Sequence, residues 1–158
     1  MLQVISKSNY QIMRHLYGFT LIETMIVIVV VGIFATIAYP SYQSAVRKAK
    51  RAEGRAALMQ IMQQQERYYS QNTTYIAFTS ASINANEKYF KWHSADTPKA
   101  SAYEISGDAC QNETIQTCIK LVARPGTEKV DSSYTDAECG TLTFTSSGMK
   151  SADAKNCW

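Results

Sequence analysis

Histidine is almost absent from this 158-residue sequence, which contains only His15 and His93. These two residues lie in different parts of the chain, and no nucleophilic side chain stands beside a plausible general base. Glycine-rich segments of the kind that cradle phosphates are also missing. We therefore expect a protein that is not an enzyme, with no catalytic residues and no cofactor.

Charge is nearly missing from residues 19–39, where Glu23 is the one ionisable acid or base. The run has roughly the 20 residues that a helix needs to cross a bilayer. An ordinary secretory signal has its apolar core before the cleavage site and loses it, whereas this run follows Gly18 and is expected to stay. A carboxylate in such a segment is costly, so Glu23 either has a function or reaches the headgroups from the helix start.

The segment Gly18-Phe-Thr-Leu-Ile-Glu resembles the class III prepilin signal of type IV pilins and of type II secretion pseudopilins. The resemblance implies that prepilin peptidase cuts after Gly18 and that Phe19 becomes the methylated N-terminus. It also implies that Glu23 pairs with the N-terminal amine of a neighbouring subunit. By the same resemblance, Gly32 and Pro40 fall where pilin helices loosen during filament assembly.

The resemblance also gives a division of the chain. Residues 1–18 are the cleaved leader, residues 19–39 the transmembrane and filament-core helix segment, and residues 40–158 the periplasmic head. Apolar residues at steps of three and four continue the helix over 40–71. A long connection with five aromatic residues is expected over 72–100.

The last third of the chain is typical of short strands. β-branched and aromatic residues bounded by turn residues predict strands at 102–106, 117–124 and 141–145, with a fourth at 149–152. The expected fold is α+β, a type IV pilin fold. In it the long N-terminal helix, membrane anchor plus amphipathic half, packs on a small antiparallel sheet with a disulfide-closed C-terminal loop.

Four cysteines lie in this last third, namely Cys110, Cys118, Cys139 and Cys157. Four cysteines permit three pairings, and spacing does not choose among them. Four thiolates are also a zinc ligand set, but the sequence has no CxxC spacing and an oxidising periplasm favours disulfides, so no metal is expected.

Two segments resemble minor pilins of the PilE kind. One is the helix end from Gln65 to Asn72, and the other is Cys139-Gly-Thr-Leu-Thr together with Cys157-Trp158. This resemblance implies a bridge from Cys139 to Cys157 and, by remainder, one from Cys110 to Cys118.

Basic residues occur in two places that deserve comparison. The helix carries Arg47, Lys48, Lys50, Arg51 and Arg55 within nine positions. These could hold headgroups or DNA phosphates, but no aromatic residue is interleaved to stack bases, so a solvated face or a subunit contact is favoured. Lys150, Lys155 and Trp158 supply charge and a stacking surface for DNA or another ligand, with Trp92 as a further contact; an ordinary exposed tail is the alternative.

The function expected first is that of a minor pilin that primes and joins a type IV pilus, with roles in twitching, adhesion or DNA uptake. Its partners would be other pilins, prepilin peptidase, the inner-membrane assembly platform and membrane lipid, with DNA possible. It would lie in the bacterial inner membrane with a periplasmic head before entering the surface pilus. One alternative is a pilin that captures DNA or a surface ligand.

A pseudopilin of a secretion machine is the other alternative. Major pseudopilins carry a calcium site near the C-terminus, but Asp153 is the one acidic residue after Thr141. The scarcity of acids argues against that class.

Overall fold

The computed structural model describes residues 18–158. The expected leader, with His15, lies outside the described residues except for Gly18. The chain divides into two compact units, one reaching to Ser41 and one spanning Tyr42–Trp158. Each is described by itself below.

Helix α1 spans Leu21–Asn72 and passes through Pro40. It begins two residues after the expected start and ends one residue after the expected end. The Thr20 hydroxyl accepts a hydrogen bond from the Glu23 amide at 3.3 Å, which satisfies one of the amides left free at a helix start. The apolar part reaches a mean hydropathy of 2.6 with none of its residues buried, so α1 is long and apolar enough to cross a membrane.

The sheet of the second unit has four antiparallel strands in the order β1-β2-β3-β4. The strands are β1 at Tyr103–Ala109, β2 at Ile119–Pro125, β3 at Leu142–Thr145 and β4 at Lys150–Ala152. All four overlap the strands expected from the sequence. The α+β fold, with a long helix on a small antiparallel sheet, is confirmed.

The core lies between the inner face of the sheet and the second half of α1. Residues 103, 105 and 107 of β1 and 119, 121 and 123 of β2 are buried, as period-two alternation requires when one face of a sheet is covered. Leu58 and Ile61 of α1 pack against them. A Cβ on Gly54 would lie 2.8 Å from Cδ2 of Tyr103, so the helix can approach the sheet this closely only with glycine there.

The connection after α1 is folded onto the edge of β1 rather than left as an open loop. Phe78 and Gly107 exchange two backbone hydrogen bonds of 3.0 Å, and the Ile105 amide donates to the Trp92 carbonyl at 2.7 Å. The connection also contains a short helix α2 at Ala85–Lys88 and a 3-10 turn at Pro98–Ala100, which the sequence did not predict.

Two disulfides close loops in the second unit. Cys139 is bonded to Cys157, and Cys110 is bonded to Cys118. The first bridge closes the segment that carries β3 and β4, as the resemblance to minor pilins implied.

Candidate functional site

A groove lies between the loop bounded by Cys110 and Cys118 and the hairpin of β3 and β4. Its volume is about 560 Å³. The polar side chains that define this hydroxyl groove are Lys120, Thr143, Thr145, Ser147 and Ser151. Lys150 also lines it, but it is paired with Phe144, so its side chain belongs to the other face of the sheet. Gln111 and Asn112 add amides, and Glu113 is the one acidic residue in its lining.

Strand register creates the hydroxyl groove. Lys120 is paired with Thr145, and Thr143 is paired with Ser151, so these residues share the outer face of the sheet. The hydroxyl oxygens of Thr143 and Ser151 lie 2.5 Å apart. On the opposite face, Leu121 is paired with Phe144 and faces the core.

A second groove, of about 390 Å³, lies along residues 150–158. The ammonium nitrogen of Lys150 is 5.4 Å from the ring centres of both Phe144 and Trp158. These distances are typical of cation–π contacts. The indole of Trp158 donates a hydrogen bond of 2.7 Å to the Ser151 carbonyl, and Lys155 is exposed in the same lining.

Three of the four contact residues expected from the sequence are therefore neighbours. Lys150, Lys155 and Trp158 line one groove, and Lys150 also lines the hydroxyl groove. Trp92 lies elsewhere, because its carbonyl binds the free edge of β1 while Lys150 belongs to β4. Three strand spacings, roughly 14 Å, separate those two edges.

The basic residues of α1 mostly bind the head of this same chain. Lys50 donates to the Ala100 carbonyl at 3.1 Å, and Arg55 donates to the Cys157 carbonyl at 3.5 Å. Arg51 is buried and forms two hydrogen bonds to Asp136, of 2.8 and 2.6 Å. All three residues therefore contact other parts of the head, and Arg51 is removed from solvent, whereas Lys50 and Arg55 stay partly exposed.

Asp136 is the centre of a buried polar cluster that sequence reasoning missed. Its side chain is fully buried, and besides Arg51 it accepts hydrogen bonds from the Tyr103 hydroxyl at 2.7 Å and from the Cys139 amide at 3.1 Å. Arg51 also donates to Glu138 at 2.9 Å. Asp136 and Glu138 are 85 and 87 residues from Arg51 in the sequence, so no local pattern signals the cluster.

The cluster fixes the charge of its members. Burial by itself raises the pKa of Asp136, but hydrogen bonds from Arg51, Tyr103 and the Cys139 amide outweigh it and lower the pKa below its ordinary value. The hydrogen bond to Asp136 raises the pKa of Arg51. Burial raises the pKa of Tyr103, and its hydrogen bonds to Tyr134 and Asp136 raise it further, so Tyr103 stays neutral.

The residues expected to act in processing and assembly lie in the first unit. Gly18 and Phe19 precede the helix and are exposed, and Glu23 is in the first turn, where the helix dipole favours an anion. Gly32 has open space around the position of a Cβ, and Pro40 is inside the helix. Their roles remain predictions.

Comparison with known proteins places these features in a family. Residues 13–39 match the prokaryotic N-terminal methylation motif, and residues 40–143 match the model described as type IV minor pilin ComP, DNA uptake sequence receptor. The type IV major pilin protein PilA of Myxococcus xanthus (strain DK1622) is 35% identical over 63 residues, which are 40% of this chain and 29% of that protein. The chain thus matches less than a third of this relative's length.

Solved structures of pilins are also similar. A type IV pilin from Shewanella oneidensis is 25% identical, with a TM-score of 0.45 over 71% of this chain and 97% of that one. The non-core minor pilin PilV of Neisseria meningitidis is 19% identical, with a TM-score of 0.44 over 72% and 92% of the two chains. With the ComP model covering most of the chain and the methylation motif preceding it, this protein belongs to the ComP family of type IV minor pilins.

Proposed function

We propose that this chain is a minor pilin that binds double-stranded DNA at the cell surface for uptake. The match of residues 40–143 to a family described as DNA uptake sequence receptors is the observation that carries the proposal. It favours the DNA-binding alternative over the pilus-priming role that the sequence suggested first. A secretion role has no such support.

The chemistry of the hydroxyl groove suits a phosphate backbone. Most protein hydrogen bonds to DNA phosphates come from Lys and Arg, from Ser, Thr, Asn and Gln side chains and from backbone amides. The groove offers the ammonium group of Lys120 beside the hydroxyls of Thr143, Thr145 and Ser151, and the ammonium group of Lys150 lies in the neighbouring groove, over Phe144 and Trp158. We assign contact with the phosphate backbone of DNA to this surface. Lys120 and Thr143 lie within the family match, whereas Lys150, Lys155 and Trp158 lie beyond residue 143.

The test is to measure the binding constant of the full processed chain, in detergent, for duplex DNA at a series of salt concentrations. The logarithm of the binding constant should fall linearly with the logarithm of salt concentration, with a slope of about 0.9 per phosphate neutralised. Lys120→Gln and Lys150→Gln should each weaken binding and reduce the slope by about 1. Lys129→Gln is the matched control, because Lys129 is exposed in the loop after the opposite end of β2.

No binding at low salt, or equal losses in the control and the groove variants, would overturn the assignment. Sequence preference is a separate measurement. Competition between duplexes that carry short repeats abundant in the source genome and scrambled duplexes of equal composition should favour the repeats if the chain is an uptake-sequence receptor.

A role in fibre assembly is the second candidate, favoured by the methylation motif and by Glu23. In this proposal the chain is inserted in the inner membrane, prepilin peptidase cuts after Gly18, and the Phe19 amine of an incoming subunit pairs with Glu23 of a neighbour. Deletion should then remove surface fibres and twitching while exoprotein secretion continues. If fibres persist and only transformation is lost, the chain is a receptor without a priming role.

A further inference from the structure

One helical turn of α1 receives both ends of the disulfide-closed loop. Arg51 binds Asp136, whose carboxylate also accepts the Cys139 amide at 3.1 Å. Arg55, one turn later, donates to the Cys157 carbonyl at 3.5 Å. We infer that the buried Arg51–Asp136 ion pair positions Cys139 beside Cys157 before the bridge forms, and so selects the disulfide pairing of the head.

Loop-closure statistics alone would still leave a substantial share of non-native bridges. Cys139 and Cys157 are separated by 18 residues, while Cys118 and Cys139 are separated by 21. Because loop closure weakens with about the three-halves power of loop length, this difference favours the native bridge by a factor of only about 1.3. Over all six possible pairs, the same relation assigns roughly 30% of first bridges to non-native pairs.

The hydrogen bonds around Asp136 fix the position of Cys139. The Asp136 carbonyl accepts the Gly140 amide at 2.8 Å, so residues 136–140 form a closed turn with Cys139 inside it. Both carboxylate oxygens are engaged by the Arg51 guanidinium, which fixes the direction of the turn as well as its distance from the helix. Neither contact involves a sulfur atom.

The segment around Asp153, which leads to Cys157, is then held against the segment around Cys139 by its own hydrogen bonds. Asp153 accepts the Thr141 amide at 2.8 Å and donates its own amide to the Cys139 carbonyl at 3.2 Å. These bonds need Cys139 to be in place, but they too require no disulfide. The thiols of residues 139 and 157 therefore meet as a consequence of packing.

The covalent step is ordinary thiol–disulfide exchange with an external disulfide as oxidant. The Cys139 thiolate attacks the oxidant, forms a mixed disulfide and releases one thiolate. The Cys157 thiolate then attacks the Cys139 sulfur and releases the second. Two cysteines are oxidised and one oxidant disulfide is reduced to two thiols, because the two protons lost by the cysteines are taken up, through solvent, by the two released thiolates.

The experiment follows the first bridges. The full chain in detergent micelles is reduced and unfolded in urea, diluted into a buffer with oxidised and reduced glutathione, trapped early with a maleimide and mapped by mass spectrometry. Wild type should give non-native bridges well below 30% of the first bridges. Arg51→Met should raise them toward that value, Arg51→Lys should lie between the two, and the exposed Lys48→Met on the same helix should match wild type.

A second measurement does not depend on whether Arg51→Met folds. In a Cys139→Ala/Cys157→Ala variant, the amide of residue 139 should remain protected from hydrogen exchange, because its acceptor on Asp136 is held by Arg51 without the bridge. Loss of that protection would show that the ion pair needs the disulfide. That result, or wild-type pairing in Arg51→Met, would overturn the inference.

Discussion

Gln65 lies fully buried on α1 and binds both backbone groups of Ile76 with its side-chain amide. Its nitrogen donates to the Ile76 carbonyl at 2.8 Å, and its oxygen accepts the Ile76 amide at 3.0 Å. One polar side chain in the core thereby holds the start of the connection that covers the edge of β1. A buried glutamine is tolerated here because these groups satisfy each other.

We predict that Gln65→Leu destabilises the chain by about 1–3 kcal/mol, because it leaves two partly buried backbone groups of Ile76 without their partners. Gln63→Leu, on the exposed side of the same helix, should change the free energy of unfolding by less than about 0.5 kcal/mol. Urea unfolding followed by circular dichroism measures both. Equal effects of the two variants would contradict the role assigned to Gln65.

Acid should weaken the head through Asp136. Its folded-state pKa is below the ordinary value of 3.8, so folding favours the deprotonated form. The stabilisation is therefore present above about pH 4 and is lost as the pH falls through the folded pKa. The titratable groups beside Asp136 are Arg51, Tyr103 and Tyr134, which keep one protonation state over this range, and Glu138 accepts a hydrogen bond from Arg51.

Unfolding free energies between pH 2 and pH 6 check this dependence. Asp136→Asn should remove much of the slope below pH 4 that wild type shows, while Glu128→Gln serves as a control for a carboxylate on an exposed residue. An unchanged slope in Asp136→Asn would show that other carboxylates cause the acid sensitivity.

Gly54→Ala distinguishes packing from helix propensity. Propensity alone predicts that alanine stabilises a helix interior by about 1 kcal/mol relative to glycine. The added Cβ would lie 2.8 Å from Tyr103, whose ring is buried, so we expect a net destabilisation of about 1–3 kcal/mol. Thermal unfolding distinguishes the gain in helix propensity from the clash with Tyr103. A raised Tm would mean that α1 can move away from the sheet without a loss of stability.

Glu23→Gln should reduce entry into fibres while leaving the amount of chain in the membrane unchanged. Glutamine keeps the size of the side chain but is neutral, so it cannot form an ion pair with an N-terminal amine. The measurement is the ratio of chain in sheared surface fibres to chain in membranes, with Thr24→Ser as the control at the next position. A normal ratio for Glu23→Gln would rule out the pairing with Phe19.

The strands show how far local patterns reach. The expected strand at 102–106 stopped short of the observed end of β1 at Ala109, because Gly107 and Asp108 have low strand propensity. Pairing with Leu121 and Lys120 extends the strand through both residues. At Gly107 the close approach of the Phe78 ring also explains the glycine, since a Cβ would lie 2.7 Å from it.

The candidate site was predicted in part. Lys150, Lys155 and Trp158 are near in sequence, so their meeting in one groove follows from a short loop. Lys120 and Thr143 were missed because only the register of β2 against β3 brings them to the same face. Trp92 was grouped with the site by residue type, and the strand order puts it at the opposite edge.

By itself, the sequence determined the processing motif, the long apolar helix and the positions of the strands, because these depend on neighbours a few residues away. Tertiary structure decided which partner each polar side chain has. Arg51 stands in a run that resembles a solvated basic face, and its burial on Asp136 follows from the direction it faces once the helix lies on the sheet. A helical or strand period fixes which residues share a face, but the group opposite that face is set by packing between segments far apart in the chain.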